Sequence, residues 1–269
     1  MSNRWITLLV ASLLAGTLQA QVGDDEAMRE TLAPSGTLRA AFLGRNPVQI
    51  QIDEQTGAIG GPAADVARAL ASRLGVELEI QPLSGVPAVI EAIENGTADI
   101  GFIAHDATRA QRVEFTQAYI YGHNSYIVPT DSPIETFADA DVEGIRISAI
   151  SGNAVDLHLT RTLENAALVS LERGTPDMEA ARMILAGELD AYAANKQRLA
   201  TVVANEPRVR MLDGSVLPVE QSIVVSQENE AIVPQLDLFI DSIRDSGLLQ
   251  EIVGQYMIAG VEVAPQARR

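Results

Sequence analysis

From Leu38 onward, short apolar strand patterns alternate with amphipathic helix patterns, and the alternation starts over at Ile145. That rhythm constrains the fold more than any single motif. Leu38–Phe42 reads as a strand. Pro62–Leu74 carries Val66, Ala69, Leu70 and Leu74 at helical spacing, and Gly75 follows as a stop. Val76–Ile80 alternates as a half-buried strand. Val86–Ile93 reads as a helix ending near Asn95-Gly96, and Asp99–Ile103 as a short buried strand. Strands alternating with helices specify a mainly parallel sheet with crossover helices.

The second run repeats parts of the first. Leu38-Arg39-Ala40-Ala41 is similar to Ile145-Arg146-Ile147-Ser148, and Gly96-Thr97-Ala98-Asp99 to Gly187-Glu188-Leu189-Asp190. Two α/β lobes of similar plan account for this, the second lacking the crossover at Pro62–Ile80; the likeness is also what any two βαβ units share. Between the lobes runs an extended stretch, Tyr119–Val128, closed by Pro129–Pro133. A second extended stretch, Val219–Val225, precedes two helix patterns, Ile232–Ile243 and Leu248–Tyr256. The expected organisation is therefore a discontinuous first lobe, 37–122 plus 218–260, and a second lobe, 123–217. Two hinge strands join them, and the cleft between lobes is the default ligand site.

The ends carry other signals. Arg4, the apolar run Ile6–Leu14 and the small residue Ala20 form the n, h and c regions of a secretory signal over 1–20. Residues 21–36 lack periodicity and read as a mobile leader, and 261–269 as a tail. No cysteine lies near the cleavage point, so no lipid anchor is expected. The expected location is the periplasm. The only tryptophan, Trp5, falls in the segment to be removed.

Composition narrows the chemistry. The 269 residues include no cysteine, which excludes disulfides, a thiol nucleophile and Cys-ligated metals. Thirty-six acids against 19 bases give a formal net charge of −17, which opposes nucleic-acid binding. His105, His123 and His158 form no metal-binding pair, and no nucleophile elbow, phosphate loop or dinucleotide fingerprint is present. Carboxylate pairs such as Asp139 and Asp141 fall in polar segments and read as solvated surface. Gly60-Gly61-Pro62 reads either as an anion cradle or as a turn with Pro at the first helical position. No catalytic residue, metal or cofactor is expected.

The segment Ile103–Tyr119 follows a buried strand and leads into the first extended stretch; Arg109 stands six residues before Phe115. This segment resembles the signature of the family 3 extracellular solute-binding proteins, the polar amino-acid binders of ABC importers. Gly57–Val66 is similar to that family's entry to its first helix. Asn95–Ile100 resembles its Gly-x-x-Asp turn, and Ser246–Ile252 with Tyr256 its C-terminal helix. The resemblance covers about residues 37–258. It implies a type II periplasmic-binding-protein fold of two lobes. It also implies a monomer that closes on a small carboxylate-bearing solute and delivers it to an inner-membrane ABC permease. A sensor or accessory binding protein, or a dehydratase on the same scaffold, are the alternatives.

The resemblance carries over to single positions. Arg109 takes the place of the family's ligand arginine. A guanidinium suits that role because its rigid fork of donors holds a carboxylate bidentately. The turn before it is Ala104-His105-Asp106-Ala107. The second lobe's helix start is Gly152-Asn153, whose free N–H groups suit an anion. Asn195 takes the place of an acid that holds the ligand ammonium; it also reads as a helix N-cap. Leu43 takes the place of a second such acid. Phe42 and Tyr192 are candidate walls, with Arg45 and Lys196 as further pocket candidates. The paired absence of acid at Leu43 and Asn195 points to a solute with a carboxylate and no α-amino group; Asp106 is the alternative ammonium partner.

Overall fold

The structure, a computed structural model, describes residues 23–44, 46–53 and 55–266. The expected signal segment lies outside them, and so does Arg45. The chain divides into two units. The first runs to Tyr119 and resumes over Gln221–Tyr256; the second takes Ile120–Glu220 and Met257–Ala264. The divisions at 119/120 and 220/221 replace the expected 122/123 and 217/218. Residues 257–264 belong to the second unit, not to the first lobe and a tail.

The described chain opens with helix α1 over residues 23–32, not with a mobile leader. Met28 and Leu32 are fully buried. Arg73 holds the helix by donating to Asp25 (2.7 Å), while also donating to Ser242 (3.0 Å) and lying 5.9 Å from the Phe239 ring centre. One buried apolar residue per turn, in an acid-rich setting, leaves little periodic signal to read.

The first unit continues with β1 (Thr37–Leu43), the short ribbon strands β2 (Gln51–Ile52) and β3 (Ile59–Gly60), α2 (Pro62–Leu74), β4 (Glu77–Leu83), α3 (Val86–Glu94) and β5 (Ile100–Ala104). The division falls within the long strand β6 (Val113–Pro129). The second unit then holds α4 (Phe137–Ala140), β7 (Arg146–Ile150), α5 (Ala154–Thr162), β8 (Ala167–Leu171), α6 (Asp177–Leu185), β9 (Ala191–Asn195), α7 (Lys196–Asn205) and β10 (Val209–Met211). The next division falls within β11 (Leu217–Ser226). Helices α8 (Val233–Asp245) and α9 (Leu248–Tyr256) complete the first unit. β12 (Val261–Val263) pairs with β6 in the second.

Each unit centres on three parallel strands. In the first, β1 lies between β4 and β5, and β11 runs antiparallel to β5. In the second, β7 lies between β8 and β9, and β6 runs antiparallel to β9. The order β–α–β–α–β is the same in both, so the second unit does contain the crossover it was expected to lack. Helix α5 hides it: its apolar buried stripe is only Val155 and Leu159, among Asp156, His158, Thr160 and Arg161.

The repeated sequence fragments prove to be one device used twice. Arg39 donates to Asp99 from its backbone N (2.8 Å), Nε (3.0 Å) and Nη2 (2.5 Å), while Asp99 N donates to Arg39 O (2.8 Å). Arg146 repeats this on Asp190 at 2.8, 2.9 and 3.1 Å, with the return bond at 2.9 Å. Each clamp ties the start of one inner strand to the residue entering the next, which fixes the register of β1 on β5 and of β7 on β9. The planar guanidinium fork suits this bidentate hold.

Other family-like positions also join. Asp65 of α2 accepts from Tyr256 Oη (2.5 Å) and Gln255 (2.6 Å), pinning α9 to α2. Helix α2 ends at Gly75, whose left-handed φ of 65° lets its N–H reach Ala71 and Ser72 carbonyls.

Asp190→Ala removes three charge-assisted bonds and leaves the Arg146 guanidinium only its bond to Gly187 O (2.9 Å). It should destabilise the protein by about 1–3 kcal/mol in urea unfolding. Burial raises the Asp190 pKa, but the bonds from Arg146 outweigh it and hold the carboxyl below its usual value. A depressed acid stabilises the fold above its unfolded pKa of about 3.9 and loses that contribution as pH falls through its folded value. Urea midpoints should therefore decline below about pH 4, less steeply in Asp190→Asn.

Candidate functional site

The clamps place the carboxyl ends of inner strands side by side in each unit, which is where open α/β sheets take ligands. In the first unit β1 and β5 pair Ala40 with Ile100 and Ala41 with Gly101, so Leu43 and Ala104 end on the same edge. In the second, β7 and β9 pair Ile147 with Ala191 and Ser148 with Tyr192, so Asn195 stands level with the end of β7.

In the first unit the loop after β5 is built by Asp106. Its Oδ1 accepts from Thr108 N (2.9 Å) and Arg109 N (3.3 Å), turning the chain into a short 3₁₀ turn, Arg109–Gln111. Burial acts to raise the Asp106 pKa, and these backbone bonds overcome it and lower it. The Arg109 head folds back over the loop, with Nη1 donating to Ala104 O (2.7 Å). Burial lowers the Arg109 pKa, partly offset by the Asp106 charge. The guanidinium is thus half-buried and desolvated, and among the described residues no carboxylate lies within 4.0 Å of it. Arg112, three residues on, is exposed and paired with Glu94. His105 is exposed and set edge-on to Phe115, ring centres 4.9 Å apart. Ala104, His105 and Arg109 are therefore brought together.

Two expected positions differ. Phe42 is fully buried and stacked on Phe102 (4.8 Å, 10°), which meets Tyr119 edge-on, so it is a core residue and not a ligand wall. Tyr192 is also fully buried, its hydroxyl donating to Asp177 (2.6 Å). Leu43 is half-buried against the cluster containing Val89, Ile90 and Ile93, and its N–H donates to Gln49 Oε1 (2.8 Å).

In the second unit Gly152 and Asn153 lead into α5. Asn153 is the N-cap residue in extended conformation, and its side chain makes no capping bond. Gly152 N donates to Asp156 Oδ2 (2.9 Å), and Asp156, buried, also accepts from Ser170 Oγ (2.6 Å). Gly152 has φ 75°, and the Arg173 guanidinium lies against its α-carbon where a Cβ would stand. Arg173 Nε donates to Ser151 O (3.2 Å). Asn195 ends β9 and caps α7 without a side-chain capping bond. Lys196, the only lysine of the chain, follows it and rests its stem on Gly260. Arg173, which the sequence reading did not single out, is exposed and follows the strand next to β7.

The sequence profile of the bacterial extracellular solute-binding proteins, family 3, matches residues 38–259. Two such α/β units, with ligand-type loops at their strand ends, define a type II periplasmic-binding-protein fold. The chain belongs to the bacterial extracellular solute-binding proteins, family 3. A putative binding component of an ABC transporter from Wolinella succinogenes, complexed with lysine, is similar in structure. Its TM-score is 0.67 at 20% identity, covering 83% of this chain and 96% of that one. An amino acid ABC transporter substrate-binding protein from Streptococcus pneumoniae, bound to L-arginine, gives 0.64 at 21% identity, covering 87% and 99%. A histidine kinase sensor domain with similarity to periplasmic binding proteins gives 0.64 at 18%, covering 85% and 98%. A search of curated protein sequences finds no match.

Gly152→Ala should cost about 1–2 kcal/mol for the left-handed φ alone, and should also push Arg173 off the loop. Urea unfolding checks the first part. A variant as stable as the parent would contradict the placement of this turn.

Proposed function

We propose that this protein is the solute-binding component of an ABC importer, working outside the cytoplasmic membrane, and that its solute carries a carboxylate held by Arg109. The observation that carries this reading is the half-buried Arg109 guanidinium, folded back on Ala104 O and with no carboxylate within 4.0 Å among the described residues, in a chain where acids outnumber bases 36 to 19. A ligand carboxylate supplies the missing partner, and charge-assisted bonds to it are the strong kind. The start of α5 gives no such support: its Gly152 and Asn153 N–H groups donate to Asp156 Oδ2 (2.9 Å) and Ile150 O (3.1 Å).

The solute is proposed to lack an α-amino group. Leu43 packs on apolar neighbours and Asn195 is neutral, so neither offers an ammonium a counter-charge. Asp106 is engaged by two backbone N–H groups of its own loop. Its lowered pKa keeps it ionised near neutral pH, which disfavours the dehydratase alternative, since a general acid must hold a proton.

A thermal-shift screen of carboxylic acids, amino acids and their deaminated analogues tests both parts. The expected hits are deaminated acids, and Arg109→Ala should weaken them about 10- to 100-fold, the loss of a charge-assisted pair. Full retention of binding in that variant would overturn the site. Micromolar binding of ordinary amino acids alone would overturn the amino-free solute.

A further inference from the structure

One buried side chain organises the loop after β1 in the first unit. Gln49 is fully buried, and its backbone carbonyl accepts from Ala63 N (3.1 Å) and Ala64 N (3.2 Å) at the start of α2. Its side chain meets the end of β1, where Oε1 accepts from Leu43 N (2.8 Å). An N–H can only donate, so this bond fixes which end of the Gln49 amide is oxygen. The Nε2 end then faces Gln221 of β11, 3.5 Å from its Oε1.

That distance is the outer limit of a hydrogen bond, yet it orients the second amide. With the Gln221 amide reversed, two NH2 groups would face each other inside the protein. Gln221 therefore keeps its oxygen toward Gln49 and turns its Nε2 away. Among the described residues no acceptor meets this nitrogen. Nor is it one of their sealed, unpartnered side-chain atoms, so it reaches solvent, although Gln221 as a whole is only 7% exposed. A donor whose direction its neighbours already fix needs little further ordering to meet a ligand.

Position links this donor to Arg109. In the antiparallel pair of β5 and β11, Gln221 stands opposite Ala104. Ala104 O is the atom that receives Arg109 Nη1. Both residues belong to the first unit, at the edge where Leu43 and Ala104 end.

We propose that Gln221 is a specificity-determining residue of the first unit, positioned by Gln49, and that the solute carries an acceptor oxygen close to its carboxylate, as 2-oxo and 2-hydroxy acids do. This rests on the reading that Arg109 holds the carboxylate, and deepens it. An oxo or hydroxyl oxygen accepts from Gln221 Nε2. An α-ammonium only donates, and would set its N–H groups against those of the amide.

Calorimetry on the full chain tests this with three series: propionate, 4-methylvalerate and 3-phenylpropionate, each beside its 2-oxo, 2-hydroxy and 2-amino forms. The oxo and hydroxy acids should bind about tenfold tighter than the plain acids, the advantage of one hydrogen bond, and the amino acids more weakly than the plain acids. Gln221→Met should abolish that advantage and leave the plain acids bound as before, which a failure to fold would not do. Gln221→Glu offers only acceptors, and should lower the oxo-over-amino ratio by about tenfold or more. Gln49→Met frees the Gln221 amide to turn and should also reduce the advantage; an unchanged advantage there would overturn the positioning role of Gln49. Equal affinity for plain and 2-oxo acids in the parent, or an advantage that survives Gln221→Met, would overturn the proposal while leaving Arg109 as the carboxylate residue. Retention of every acid in Arg109→Ala would overturn the reading beneath it. If no acid of the three series bound, both would fall.

Discussion

The rest of the structure depends on an arginine–aspartate clamp made once in each unit. A parallel strand pair has no tight turn to fix its register. Arg39 with Asp99, and Arg146 with Asp190, do so instead, each through three bonds to one carboxylate and one return bond from the backbone. With the strand starts locked, the strand ends align. Leu43 and Ala104 then finish on one edge, and Ser151 and Asn195 on the other unit's edge. The loops that leave those edges carry the proposed binding residue Arg109, so ion pairs at the strand starts set the geometry of the loops at the strand ends.

Much of this was legible in the sequence because it rests on local pattern. The strands and helices of the first unit follow apolar periodicity bounded by Gly and Pro. The recurrence of Arg39 and Asp99 as Arg146 and Asp190 could be read as similarity, though not as a contact, because the partners stand 60 and 44 residues apart. Helix α1 escaped because it buries few side chains among polar ones, and for the same reason α5 was placed only at its start, by the resemblance at Gly152-Asn153, and not as a crossover. The tail escaped because β12 is three residues long and draws its stability from pairing with β6.

The site was legible where a motif carries it and not where tertiary contact does. Arg109 is proposed from the family resemblance of its segment, and the structure adds that its head is half-buried and folded back on Ala104 O. Phe42 shows the opposite case. An aromatic at a strand end reads equally well as wall or core, and only its stacking on Phe102 decides for core.

The most direct test is to watch those guanidiniums. Nitrogen-15 NMR of the arginine Nε–H groups would be recorded while titrating the tightest acid from the carboxylate screen. The Arg109 resonance should shift and gain protection from exchange in step with saturation, with Arg112, already paired to Glu94, unmoved. Saturation of the protein with the Arg109 resonance unchanged would contradict the account at its centre.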